Sequence, residues 1–328
     1  MATRGSSRAS DLVRSWRDRA LKALAFVALV VFAGVYFVRW QPDSLGPAPV
    51  SIEASAPPLS DDELAVMTIN AWRLSQPARV PALVDAIDRE GTALGGGRPA
   101  LVGIQEIQSR DAIQALSREL EDDGFFAACE CSIRTDGSLR SAVAAAVSEP
   151  YVVRGHECVS LERLFPDQRR CALLARVDDP AGRSIVLVVV HLAWHPSNGA
   201  MAAWLRQELV ERDALGPRTI LLGDLNAWPG TEGYDRIVAP PLRDAVPGAP
   251  ATHYFGWTID HVAVGDAFET VRSLDRRASY ERIRPAAAIV MPLACDAGGP
   301  PGCPVSDHLP EGVVLRWRDG DRVSATQR

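Results

Sequence analysis

From Glu63 onward the sequence predicts an α/β fold in which two β-sheets pack face to face with helices outside. Two observations lead there. Short apolar runs alternate with longer stretches whose apolar residues recur near i, i+3 and i+4, and elements of that kind bury their faces in layers. The composition, 47% hydrophobic and 23% charged, is that of a globular chain with a sizeable core. At 328 residues it has room for one large domain or two ordinary ones.

The elements follow in order. Leu64–Asn70 is an apolar run closed by an amide and predicts a strand, and Val80–Arg89 repeats its apolar residues at helical spacing. Gly95-Gly96-Gly97 is a loop, too short and isolated to cradle a phosphate. Ala100–Gln105 predicts a strand and Ser109–Leu120 a helix; Ala142–Val147 and Cys171–Val177 are further strands. Ile185–His191 is the strongest β-run in the chain, and Ala200–Leu215 predicts the third helix. Thr219–Gly223, Asp260–Val264 and Gly312–Leu315 complete the strands. No internal repeat is apparent.

The N-terminus is organised differently. Ala23 to Val38 is sixteen residues without a charge, bracketed by Lys22 and Arg39. As a helix it spans about 24 Å, short of a bilayer core unless the flanking cations snorkel and Trp16, Tyr36 and Trp40 sit at the interfaces. Residues 1–40 carry seven basic and two acidic side chains, net +5. The positive-inside rule then leaves residues 1–22 as a basic cytoplasmic tail, 23–38 as one transmembrane helix, and the rest across the membrane. A cleaved signal peptide is the alternative, but no convincing small-x-small site follows Val38. Residues 39–61, rich in Pro, Ala and Ser, read as a linker, 62–318 as the folded domain and 319–328 as a tail.

With −6 for the whole chain, residues 41–328 carry about −11. A protein gripping duplex DNA usually shows a basic surface, and the only basic runs here are Arg169-Arg170 and Arg276-Arg277. Net charge therefore weighs against duplex DNA. The six cysteines suit an exported domain. Cys295 and Cys303 bracket a Gly-Pro-rich loop and are expected to pair, as are Cys158 and Cys171, which flank a second loop; free buried thiols are the alternative. Cys129 and Cys131 stand too close to pair with each other. Nothing has the spacing of a zinc site.

The chemistry concentrates where strands end. In Leu221-Leu222-Gly223-Asp224-Leu225-Asn226 an apolar run delivers an acid and an amide two residues apart, so Asp224 and Asn226 share one face. Glu106 follows Leu101–Ile104, and Ser306-Asp307-His308 adds an acid and a titratable base. Mg²⁺ favours one or two carboxylates with water and substrate oxygens, a demand that Glu106 and Asp307 meet. The pattern reads as hydrolytic phosphate chemistry, although each residue alone would also serve as a strand-closing turn or a solvated side chain.

Six blocks in order resemble the endonuclease/exonuclease/phosphatase superfamily. They are Met67–Trp72, Gly103–Ile107, Val188–Leu192, Gly223–Asn226, Thr258–Val262 and Ser306–His308, which place the resemblance over residues 62 to 318. The resemblance implies a DNase I-like, four-layer α/β sandwich of two mixed β-sheets with helices outside, here preceded by the transmembrane helix. It implies that Glu106, with Asp307 and Asn70, holds Mg²⁺ (or Mn²⁺), and that Asn70, Asn226 and His191 bind phosphate. On the same pattern Asp224 and Asn226 orient the attacking water, His308 exchanges protons, and Asp260 orients His308. His191 separates this chain from the apurinic-site endonucleases of the superfamily, which carry a tyrosine element in that region. His195 is read as mostly structural, and His156, His253 and His261 receive no role. Two departures stand out: Trp257-Thr258 where many members place an Arg before the Asp block, and Leu309-Pro310 where many have Arg-Pro.

The expected activity is metal-dependent phosphodiester hydrolysis outside the cytoplasm. Anchor and acidity favour a lipid or small-molecule phosphodiester, with an extracytoplasmic nuclease acting on nucleic acid as the alternative. A groove lined by Arg169, Arg170 and Arg206 would favour nucleic acid; an exposed apolar patch beside the site would favour lipid. A non-catalytic binding module of the same fold is the reading from another class, disfavoured by the complete set of ionisable residues. The membrane is the only partner expected besides substrate; no protein partner is predicted.

Overall fold

A computed structural model describes Lys22, Leu24, Phe26 and Val27, and then residues 56–318 apart from 122–123, 162–168, 195–196, 250, 253–256, 276–277, 280–305 and 307. The expected anchor at 23–38, the linker, the terminal tails, Asp307, His195 and the Cys295–Cys303 pair therefore lie wholly or mostly outside the described residues. Among those described, no helix is long and apolar enough to cross a membrane.

The domain consists of two six-stranded mixed sheets. The first orders its strands β11 (Phe268–Ser273), β12 (Glu311–Trp317), β1 (Glu63–Leu74), β2 (Leu101–Ile107), β4 (Leu139–Ser148) and β3 (Gly124–Ile133). The second runs β5 (Val152–Leu161), β6 (Arg170–Asp178), β7 (Ser184–His191), β8 (Thr219–Asp224), β10 (Asp260–Gly265) and β9 (Leu242–Asp244). Each sheet has one parallel pair at its centre, β1 with β2 and β7 with β8, flanked by antiparallel neighbours. A parallel pair needs a crossover. Helix α1 (Val80–Ala93) supplies the first and α3 (Asn198–Glu211) the second. Helices α2 (Arg110–Glu121) and α4 (Glu232–Ile237) lie elsewhere along the domain.

The core lies in three slabs, which makes the four layers. Leu64, Val66, Val143, Leu173, Leu187, Val189, Leu222 and Val262 meet between the sheets. Met67, Ile69, Leu83, Ile87, Ile104 and Leu116 fill the space under α1 and α2. Val188, Val190, Met201, Leu205 and Leu221 do so under α3. Strands buried on both faces read as continuous apolar runs rather than alternations, which is why the predicted strands are the interior ones. The four strands without a sequence signal, β3, β5, β9 and β11, are the four sheet edges. Along β5 the side chains of Arg154, His156 and Glu157 are exposed, so no apolar run marks it.

One expected cysteine pairing is corrected. Cys158 pairs with Cys129 and Cys171 with Cys131, with Cα–Cα distances of 5.6 and 5.0 Å. Cys129 and Cys131 are alternate residues of β3 and so face the same way, toward the opposite sheet. In the β5–β6 register Cys158 opposes Leu173 and Cys171 opposes Ser160, which leaves the two cysteines off register with each other. The bridges therefore stitch sheet to sheet at one edge. No described cysteine is free.

The sheets approach closely at Gly103, where a Cβ would stand 2.9 Å from Leu222 Cβ and 3.1 Å from Val189 Cγ1. Gly103→Ala is expected to lower the unfolding free energy in urea by about 1–3 kcal/mol through overpacking. Gly155→Ala, whose Cβ would meet nothing within 4 Å, serves as the matched control. Removing one bridge as Cys131→Ala/Cys171→Ala is expected to cost about 2–4 kcal/mol in the same measurement.

Candidate active site

Parallel strands open their C-terminal ends to a common edge, where α/β sheets build sites. The first sheet delivers Asn70 from β1 and Glu106 from β2; the second delivers His191 from β7 and Asp224 from β8. Register places His191 and Asp260 directly opposite Asp224 on the strands to either side. Ser306 and His308 arrive just before β12. Of the eight residues expected from the sequence, seven meet here, and Asp307 lies outside the described residues.

Asp224 is the hub. It accepts hydrogen bonds from Asn70 Nδ2 at 3.0 Å and from the Asn226 backbone N–H at 2.8 Å. His191 Nε2 stands 3.6 Å and His308 Nε2 3.9 Å from its Oδ2. Burial, reinforced by the neighbouring Asp260 carboxylate, pushes the Asp224 carboxyl up to about 7. A base is most effective when its pKa lies near the working pH.

His308 is 4% exposed, and its Nδ1 lies 2.8 Å from Asp260 Oδ2. That contact puts the proton on Nδ1 and turns Nε2 toward Asp224. Asp260 is held in turn, because Thr252 Oγ1 accepts the N–H groups of Ile259 and Asp260 at 3.0 and 3.1 Å. Ser306 Oγ donates to the Asn70 carbonyl and accepts the His308 N–H at 2.9 Å, tying these residues ahead of β12 to β1.

His191 differs from expectation in detail. The Asn226 amide donates to His191 Nε2 at 3.0 Å and to the Leu192 carbonyl at 2.9 Å, so both of its protons are engaged. His191 is thus neutral and accepts at Nε2. Burial, with Arg170 and His308 nearby, holds its pKa well below the ordinary range. Asn226 positions His191 in this arrangement, and the neutral ring carries its proton on Nδ1, a buried atom that meets no hydrogen-bond acceptor.

Glu106 sits at a bulge where the β1–β2 and β2–β4 registers shift. Its φ of 61° is left-handed, as are those of Trp72 (40°), Arg73 (49°) and Asn226 (47°). Non-glycine residues in that region cost about 1–3 kcal/mol each and gather at functional sites. The Arg73 N–H donates to Glu106 Oε2 at 3.0 Å, and Arg79 donates to the Trp72 carbonyl at 3.0 Å, which pins the bulge. Glu106 Oε1 lies 3.9 Å from His191 Nε2.

The donor set suits a hard divalent cation. Glu106 opens toward the cleft, and Asn70 Oδ1 keeps one lone pair after accepting the Trp72 N–H at 2.9 Å. Asp224, Asp260 and His308 also bring one ligand atom each to within 4.8 Å of one another. The Nδ1 bond commits His308 to Asp260, so that trio reads as the proton-handling array beside the cation position.

A cleft of about 380 Å³ opens on Glu106. Its lining includes Arg73, Arg134, Arg140, Arg169 and Arg170, together with Trp194. Burial lowers the pKa of Arg170, against the pull of Glu106 and Asp224. Arg206 does not join this group. It donates to the carbonyls of Arg236, Ala239 and Pro240 at 2.8–3.0 Å and caps the end of α4. Arg73, Arg134, Arg140 and Thr252 carried no sequence signal, since single arginines and threonines are common on any surface.

Asp260→Asn is expected to keep the fold while removing the acceptor that holds the His308 proton on Nδ1. The downfield imidazole N–H resonance should vanish, and turnover of a phosphodiester should fall roughly 10³–10⁴-fold.

Residues 67–308 match the Endonuclease/Exonuclease/phosphatase family. No curated protein matches the sequence. Among solved structures, the chain is similar to the human Nocturnin catalytic domain with bound sulfate anion, at TM-score 0.56 and 14% identity over 81% of this chain and 97% of that one. It is also similar to an endonuclease/exonuclease/phosphatase from Beutenbergia cavernae, at 0.52 and 21% over 78% and 72%. Truncated Caenorhabditis elegans TDP2 aligns at 0.53 and 17% over 77% and 97%. At these identities the structures show the shared fold. With the family matched across most of the domain, the chain belongs to the endonuclease/exonuclease/phosphatase superfamily of phosphoesterase hydrolases, in the DNase I-like fold.

Proposed function

We propose that the protein is a divalent-metal-dependent phosphodiesterase acting on nucleic-acid strands outside the cytoplasm, held to the membrane by its N-terminal segment. The observation that carries the substrate is the cleft, which sets five arginines against the single carboxylate of Glu106. One phosphodiester needs one or two such partners; five in one cleft suit several phosphates. The net charge of the domain pointed the other way because it averages over the whole surface, whereas binding samples the field within the cleft.

Glu106, Asn70 and Asp307 would hold Mg²⁺ or Mn²⁺, which supplies Lewis-acid polarisation of a phosphoryl oxygen. The chain's own groups do the rest. A water between Asp224 and His308 Nε2 faces two candidate proton acceptors, and Asp260 stabilises the imidazolium that His308 forms on taking a proton. Asn70 steadies Asp224, and Asn226 steadies His191. Arg170, buried beside Glu106, offers positive charge to the phosphoryl oxygens. The extracytoplasmic placement is supported by the two disulfides and by the basic flank before residue 23.

A second reading, cleavage of a lipid or small phosphodiester, is favoured by Trp194 and Trp228, each 38% exposed at the rim of the site.

The test uses the full chain with Mg²⁺ or chelator on oligonucleotides, plasmid, sphingomyelin in mixed micelles and a chromogenic phosphodiester, beside His308→Ala. Metal-dependent turnover, fastest on nucleic acid and lost in His308→Ala, is the expected result. If five arginines neutralise phosphates, strand affinity should fall roughly a hundredfold between 50 and 200 mM salt. Fastest turnover on sphingomyelin would move the assignment to the second reading. No turnover by folded protein would leave a binding module.

A further inference from the structure

Three tryptophans cluster beside the cleft, which Trp194 lines. Trp194 lies three residues past His191, Trp228 two past Asn226 and Trp257 three before Asp260. They are therefore anchored to the ends of β7, β8 and β10, neighbours in one sheet. Their ring centroids are 4.9, 5.9 and 6.1 Å apart, and Trp228 stacks on Trp257 with 19° between planes.

These are contact distances for aromatic pairs. They leave no gap for an ammonium group between the rings, which excludes a cage for a quaternary amine. What remains is a platform on which Trp194 and Trp228 each stay 38% exposed. Among the described residues of the domain, the other large apolar side chains that are exposed, Ile133, Val152 and Val210, are single aliphatic groups.

The platform is held rigid from behind. Thr231 Oγ1 donates to the Trp228 carbonyl at 2.7 Å, and the Thr252 N–H donates to the Trp257 carbonyl at 2.9 Å. Buried Asn198 donates to the Ala193 and Leu225 carbonyls at 2.8 and 2.6 Å, joining the loops that carry Trp194 and Trp228. A preorganised aromatic surface binds with little ordering cost.

Trp194 is also a wall of the arginine cleft. Aromatic faces beside a basic groove are how unpaired nucleic acid is held, with bases stacked and phosphates paired. In a duplex the base faces are already occupied by their neighbours. A lipid would call for an apolar channel continuing from the tryptophans, whereas the neighbouring cleft is lined by arginines. We propose that Trp194, Trp228 and Trp257 form a base-stacking platform that makes single-stranded nucleic acid the preferred substrate. This rests on the nucleic-acid reading above and adds strandedness to it.

The test compares the full chain with Trp194→Ala, Trp228→Ala and Trp228→Phe, each checked for folding by circular dichroism. With chelator present, oligo-dT should quench the parent's tryptophan fluorescence, and the two alanine variants should bind it roughly tenfold or more weakly. Trp228→Phe, which keeps a stacking face, should retain most of the affinity. With Mg²⁺, kcat/KM on the single strand should fall about tenfold further than on the chromogenic diester. Equal losses on both substrates, or parent-like oligo-dT binding in both alanine variants, would overturn the platform. So would variants that lose sphingomyelin turnover in micelles while keeping oligo-dT affinity, which would mark a membrane-facing surface. A parent without turnover on any diester would defeat the hydrolase reading alone, because the quenching measurement still decides the platform.

Discussion

The bond from Asn70 Nδ2 to Asp224 Oδ2 joins the two sheets at the floor of the site, across 154 residues of sequence. Both side chains are almost wholly buried, at 0 and 1% exposed. A carboxylate without water depends on its donors, so the geometry of this contact decides whether Asp224 can ionise. The sheets can bring the two residues together only because their central strands are parallel pairs ending at the same edge. Close packing at Gly103 keeps that edge tight.

From this floor the site is built outward in opposite electrostatic senses. Inside, Asp224 and Asp260 face each other across adjacent strands, and their repulsion raises the Asp224 pKa beyond what burial alone does. Outside, the cleft is arginine-rich. Buried acid beneath exposed base suits a site where a cation and an anionic substrate meet, each cancelling charge the protein cannot cancel alone. The left-handed Glu106 stands at the boundary, aimed by a bulge that a regular strand would not permit.

The disulfides belong to the same construction. Cys131 precedes Ser132 and Cys171 follows Arg170, both lining residues of the cleft. The bridge thus fixes the separation of two walls from different sheets, tying edge strand β3, which is hydrogen-bonded from one side only, to β6, which is paired on both sides. Trp194, Trp228 and Trp257 gain their rigidity differently, from interior strands and buried polar side chains such as Asn198 and Thr252.

The sequence by itself determined the interior strands and the polar residues that close them. A strand covered on both faces must be apolar throughout, so Ile185–Val190 and Thr219–Leu222 announce themselves. A polar residue closing such a run, as Asn70, His191 and Asp224 do, stands out against it. Edge strands escaped notice because one neighbour and a wet face leave β5 and β11 polar enough to resemble loops. Only the tertiary structure decided which groups meet. It brought Arg73, Arg134, Arg140 and Arg170 into one cleft, crossed the cysteine pairing from sheet to sheet, and gathered three separate tryptophans. Each of those depends on strand register and on the packing of one sheet against another, contacts between residues far apart along the chain that local pattern does not encode.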